Sequence, residues 1–327
     1  MRSSRAGRSD GSERPASPLR ESRRDVMAAL GLTPLIAGQA VATVGRAEGL
    51  TVYSPAPASH PMHALNLDLA AAVAAASGGP AVQTVAVALP DSINRIAALP
   101  AEVRPYHLPI VTTVDFDIAG QGLGPDWHRY DTPHPDLLFV SALYEVGFGL
   151  FVTDPSITTP PDLRGRRIAV PPRPSSLRLL SEALLGHGWG VLDEVVLVDV
   201  PMQAAGDALA TAAVDATTWN LILPSSAGHG PVFGMPGRFL DISDEVLAAI
   251  AVGGLSVRRA DLGDASAGTM SFAQALAAWA TTPAETVAGL VVAIERFLGT
   301  LPGLPGDRAG MLDWPGLAAE AIHPAAL

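Results

Sequence analysis

The 327-residue chain contains no cysteine and no lysine. Without cysteine it can form no disulfide, thiolate nucleophile, thiolate metal site or lipid-bearing cysteine at a cleavage point. All 21 cationic side chains are therefore arginine, which with 32 glycines and 29 prolines reads as codon bias and carries no functional meaning. Aromatic residues make up 5% and charged residues 16% of the chain, against 48% hydrophobic residues. Beyond the N-terminal region no apolar run approaches the roughly 20 residues of a membrane span, so the body is expected to be soluble. The length is about twice that of a typical single domain, and two lobes or domains are expected.

Residues 1–24 are polar and arginine-rich and cannot bury enough apolar surface to fold alone. The paired Arg23-Arg24 precedes a moderately apolar segment, Val26 to Val44. That order is the order of a twin-arginine export signal, so residues 1–47 are expected to be a signal peptide directing the protein to the periplasm. Small-x-small sites end at Ala42 and at Ala47, and both remain open as the cleavage position. Residues 1–47 carry eight of the 21 arginines but four of the 32 acids, leaving 13 arginines and 28 acids in the remainder. An acidic surface of that kind disfavours nucleic acid and anionic membrane as partners.

After residue 47, β-rich runs alternate with helical patterns, the mark of an α/β architecture with largely parallel sheets. Strands are expected at 50–53, 82–88, 110–118, 137–143, 149–152, 168–170, 195–200 and 215–223. Helices are expected from Met62 to Gly78, at 91–99, 176–185, 202–214, 243–250 and 272–279, with a loop over 119–135. Thr282-Pro283-Ala284-Glu285 has the composition of a capping box opening a last helix, whose buried stripe would be Val287, Leu290, Val291, Ile294 and Leu298.

Three stretches resemble a known family. Pro161-Asp162-Leu163-Arg164-Gly165-Arg166-Arg167-Ile168-Ala169-Val170, the helix start at Ser175-Ser176, and Ala204 to Ala216 followed by Pro224 look like the second lobe of periplasmic solute-binding proteins. Phe239 to Glu245 and Thr282 to Val287 resemble the TAXI branch of the TRAP-transporter solute receptors. The resemblance implies a type II periplasmic-binding-protein-like fold: two Rossmann-like α/β lobes joined by a two-strand hinge, the second inserted into the first. Lobe one would comprise 48–151 plus 236–327, and lobe two 152–235. It further implies a non-catalytic, monomeric receptor, without cofactor, that closes on a small organic solute, expected to be an anion, and docks on TRAP permease subunits. Two other readings stay open: an enzyme on the same scaffold, akin to thiamine-precursor synthases, and a periplasmic sensor subunit. The chain departs from the family at two turns. Where a Gly/Thr-rich turn follows the first strand it has Ser54 to Pro61, and the corresponding turn of lobe two is Pro171 to Ser176. Proline has no N–H to offer, so a backbone cradle for a carboxylate is weakened.

In open parallel sheets ligands sit beyond the carboxyl ends of the strands, near helix N-termini. The expected binding residues are therefore Ser59 and His60 in the first turn and Arg173, Ser175 and Ser176 in the second. Arg173 would clamp an anionic solute through a bidentate contact, although either serine could simply cap its helix. Tyr144 would face the hinge side of the cleft or else pack as an interior aromatic of the core, and Trp219-Asn220 would pair an apolar face with an amide, with core packing the alternative for the tryptophan. Asp117 and Gln121 could read a ligand donor or be merely solvated. His60 and His63, and the group His128, Asp131, His134 and Asp136, lack further ligands at fixed spacing, so no metal site is expected. No nucleophile elbow, Walker loop or dinucleotide fingerprint occurs.

Overall fold

A computed structural model describes residues 49–55, 61–77, 82–223, 234–252, 255, 257–261, 268–299, 308–314 and 317–327. The twin-arginine stretch with both cleavage positions, and Ser59 and His60, lie outside the described residues.

The first half builds a parallel unit from β1 (Thr51–Ser54), α1 (Pro61–Ser77), β2 (Gln83–Ala86), α2 (Asp91–Ala97), β3 (His107–Thr112) and α3 (Thr113–Gln121). After a 3-10 turn at Asp126–His128 the chain enters β4 (Leu137–Val152). The second unit repeats the pattern with β5 (Arg167–Val170), α4 (Ser176–Ala183), β6 (Val196–Asp199), α5 (Ala205–Ala210) and β7 (Ala216–Leu223). The chain closes with β8 (Arg238–Phe239), α6 (Asp244–Val252), β9 (Arg258–Asp261), β10 (Gly268–Trp279), α7 (Ala284–Leu298) and α8 (Arg308–Leu312).

Hydrogen bonds join ten strands in the order β2-β1-β3-β10-β4-β7-β5-β6, with β8 on β4 and β9 on β10. The two outer trios are parallel, and each has its first strand in the middle. Between them run the antiparallel β4 and β10, which link the two ends of the sheet. β10 meets β3 through Gln274 to Leu276, whereas β4 meets β7 through Glu145 to Val152. The sheet is thus continuous through its hydrogen bonds, yet its two parallel units are separate, each with its own helices.

Three expectations fail here. Residues 272–279 form a strand and no helix, although the run is rich in alanine. Alanine favours a helix in isolation, but all twelve residues of β10 are buried with hydrogen-bonding strands on both edges. The expected strand at 110–118 stops at Thr112, whose hydroxyl accepts from the Asp115 amide at 2.9 Å and so starts α3. Finally, Thr282 forms no capping box. Its hydroxyl accepts from the Trp279 amide at 3.2 Å and donates to the Pro105 carbonyl at 3.0 Å, tying the end of β10 to the segment before β3. The stripe of α7 is buried as its spacing predicts.

Candidate functional site

A cleft of about 450 Å³ opens between the two parallel units at the carboxyl ends of their strands. From the first unit come Pro55 after β1, Ala86 to Leu89 after β2, and Thr112 at the end of β3. From the second come Pro171, Pro172 and Pro174 to Leu177 after β5, Pro201 to Gln203 after β6, and Asn220 of β7. Phe272 and Gln274 of β10 also line it. The size suits a small organic molecule, and the lining is mainly apolar with a few convergent amides and hydroxyls, as in most solute pockets.

A fully buried carboxylate stands behind this lining. Asp115 accepts from Thr112 Oγ1 at 2.5 Å, from Tyr130 OH at 2.7 Å and from His128 Nε2 at 2.5 Å. One of these partners, Thr112, is a cleft residue. Burial pushes the Asp115 carboxyl up, but His128 and the hydroxyl donors outweigh burial and hold it below the usual carboxylate range. Tyr130, buried against the same carboxylate, is pushed well above the normal phenol value. Gly124 shapes the turn that delivers His128. Its φ is 115°, and a Cβ there would lie 2.3 Å from the His128 carbonyl oxygen, so only glycine fits.

Ser175 and Ser176 line the cleft where the sequence places them. Ser175 is the extended N-cap residue of α4, but its side chain makes no capping bond, and its carbonyl receives the Leu179 amide at 3.0 Å. Arg178, buried one turn on, donates to Glu182 at 2.6 Å, to Asp199, and to the Pro171 carbonyl at 3.3 Å, fixing the proline turn against its unit.

Arg173 is not among the residues that line the cleft. Its guanidinium donates to Glu182 at 2.6 Å and stacks 4.5 Å from the centroid of the Trp127 ring, which engages it on both sides. No described arginine side chain lines the cleft; most others pair with carboxylates, as Arg164 does with Glu194, Arg167 with Asp215 and Arg258 with Glu145.

Trp219 and Asn220 do not act together. Neighbours on a strand point to opposite faces, so Asn220 lines the cleft while Trp219 packs on the far side against a small core around Phe151, Leu209 and Phe239. Tyr144 is also absent from the lining: it is 2% exposed and donates to Asn66 Oδ1 at 3.0 Å, and Asn66 in turn donates to Ser54 at 2.9 Å. Burial pushes its phenol far up. Among the described residues no group of three or more His, Asp or Glu side chains could hold a metal ion. Gln121 donates to the Asp117 carbonyl at 3.3 Å within α3.

Sequence reasoning missed Gln274 and Phe272 because a helix was expected there. With 272–279 read as a strand, their alternate spacing would have put both on one face. It also missed Asp115, whose only signal was a Thr-x-x-Asp pattern at 112–115.

A family model described as NMT1/THI5 like matches residues 136–242. No curated protein matches the chain. Among solved structures, MatC from Rhodopseudomonas palustris with bound malate is 17% identical, with 76% of this chain and 84% of that one covered and a TM-score of 0.51. A TctC solute binding protein from Polaromonas is 15% identical over 76% and 83% of the two chains, with a TM-score of 0.45. The periplasmic binding protein BugD is 13% identical over 76% and 82%, with a TM-score of 0.48. The fold is the mixed α/β, two-lobed, periplasmic-binding-protein-like one.

Proposed function

We propose that this protein is an extracytoplasmic solute receptor that binds a small organic molecule in the cleft between its two parallel units and releases it unchanged. The observation that carries this reading is the cleft itself. It is lined from both units at the carboxyl ends of their strands, and β4 and β10 pass between the units as the connection about which they would close. The division into a discontinuous lobe of 48–151 plus 236–327 and an inserted lobe of 152–235 belongs to the same proposal, with the crossing strands as the hinge. The relative with bound malate supports a small solute as the ligand class.

Periplasmic location by the twin-arginine route rests on Arg23-Arg24 and the apolar segment behind it. Delivery to the permease of a TRAP-type secondary transporter rests on the resemblance at Phe239 to Glu245 and Thr282 to Val287, and a monomer is the working form.

The match to an NMT1/THI5-like model keeps an enzyme on the same scaffold as a second reading. The two part on turnover: a receptor returns its solute intact after prolonged incubation, and an enzyme does not. The direct test of the receptor reading is a thermal-shift screen on residues 48–327, since a ligand bound only by the folded form raises its melting temperature. A hit that disappears in Ala88→Trp, which fills the cleft, supports the reading. Hits that all survive that change would place binding elsewhere and overturn it.

A further inference from the structure

We infer that the cleft selects its solute by the hydrogen-bond donors the solute brings, so that the bound head group is uncharged and amide-like and is not a carboxylate. This inference rests on the receptor reading above and names its ligand class.

One hydroxyl donor of the cleft, that of Thr112, is already spent. Thr112 gives its hydroxyl proton to Asp115 Oδ2, and its oxygen also takes the Asp115 amide. The Asp115 carboxylate is ionised and can only accept. Toward the cleft the Thr112 hydroxyl therefore presents an oxygen lone pair. Prolines 55, 171, 172, 174 and 201 keep their carbonyls and bring no N–H to the lining. Gln274 adds a further acceptor. It is 5% exposed, it lines the cleft, and its Oε1 has no hydrogen-bond partner among the described residues. A buried carbonyl oxygen in that state favours a ligand that donates to it.

Charge points the same way. No described cation lines the cleft, and Arg173, the residue best placed by sequence to serve an anion, is held by Glu182 and Trp127. A carboxylate within hydrogen-bond reach of Thr112 would sit one hydroxyl away from the buried Asp115 carboxylate, with no counter-ion among the described lining residues. Like charges at that separation in a poorly solvated cleft repel strongly. Among the donors that remain in the described lining are the first-turn amides of α4, which have no partner inside the helix. A primary amide meets both demands, its carbonyl on the α4 amides and its NH2 toward Gln274 and the Thr112 oxygen. A carboxylate meets only the first.

The test compares primary amides of about four to eight carbons with the matching carboxylates, and includes malate and adipate, in thermal-shift and calorimetric titrations of the chain from Glu48 onward. The expected result is an amide that binds at least about tenfold more tightly than its carboxylate, with the preference erased in Gln274→Leu. A second variant, Gln203→Arg, places a cation on the exposed rim and should shift the preference toward the carboxylate. Carboxylates that bind the unaltered chain as tightly as the amides, or more tightly, would overturn the inference and leave the receptor reading standing. A chain that responds to neither series would lose both.

Discussion

The Arg173 guanidinium lies 4.5 Å from the centroid of the Trp127 ring, so the proline turn after β5 is held by the segment that follows α3. The residue that looked most like an anion clamp is therefore part of what keeps the two sides of the cleft together.

Arg173→Ala should weaken binding of whichever solute the screen finds by about 0.5–1 kcal/mol, the worth of an exposed cation–π contact, because it loosens the closed arrangement. The loss should be equal for charged and uncharged ligands. Calorimetric titrations with an amide and a carboxylate would decide, and a loss confined to the carboxylate would return Arg173 to the binding site.

Asp115→Ala strips the common acceptor from His128, Tyr130 and Thr112, all of them buried. Removing one partner of a buried charged network costs about 3–5 kcal/mol. Urea unfolding should show that loss, and a change below about 1 kcal/mol would mean that water replaces the carboxylate.

The same group gives a pH dependence. The folded-state pKa of Asp115 lies below its unfolded value, so its contribution is complete above about pH 3.9 and is lost as pH falls through the folded value. Glu145 acts in the same sense: burial raises its pKa, but Arg258 and Ser271 outweigh burial and lower it. Melting temperature should be flat with respect to these two groups near neutrality and should fall on acidification. In Asp115→Asn the acid slope should be shallower, and an unchanged slope would remove Asp115 as its source.

Ala275→Leu tests why an alanine-rich run can serve as the central strand. Ala275 is fully buried in β10 between β3 and β4. Added methylenes there should cost about 1–3 kcal/mol by overpacking, read as a lower denaturation midpoint with an unchanged slope. A neutral effect would show that the packing around β10 has room to give.

Local signals sufficed for much of the chain. Apolar spacing located α1, α4 and the buried face of α7, and β-branched runs located β1, β5 and β7, because those elements bury one face in a regular pattern. The α/β alternation placed binding at the strand ends, and Ser175 and Ser176 are there. Tertiary contacts decided the rest. Phe272 to Trp279 is a helix by propensity and a strand only because β3 and β4 supply its hydrogen bonds. Gln274 and Asp115 became site residues through partners 130 to 160 positions away or through the turn at Gly124, and no local pattern encodes such distances. Arg173 kept its charge, but Glu182 and Trp127 determined where that charge is spent. Sequence determines which groups a chain can offer a ligand; the packed structure decides which of them are already satisfied.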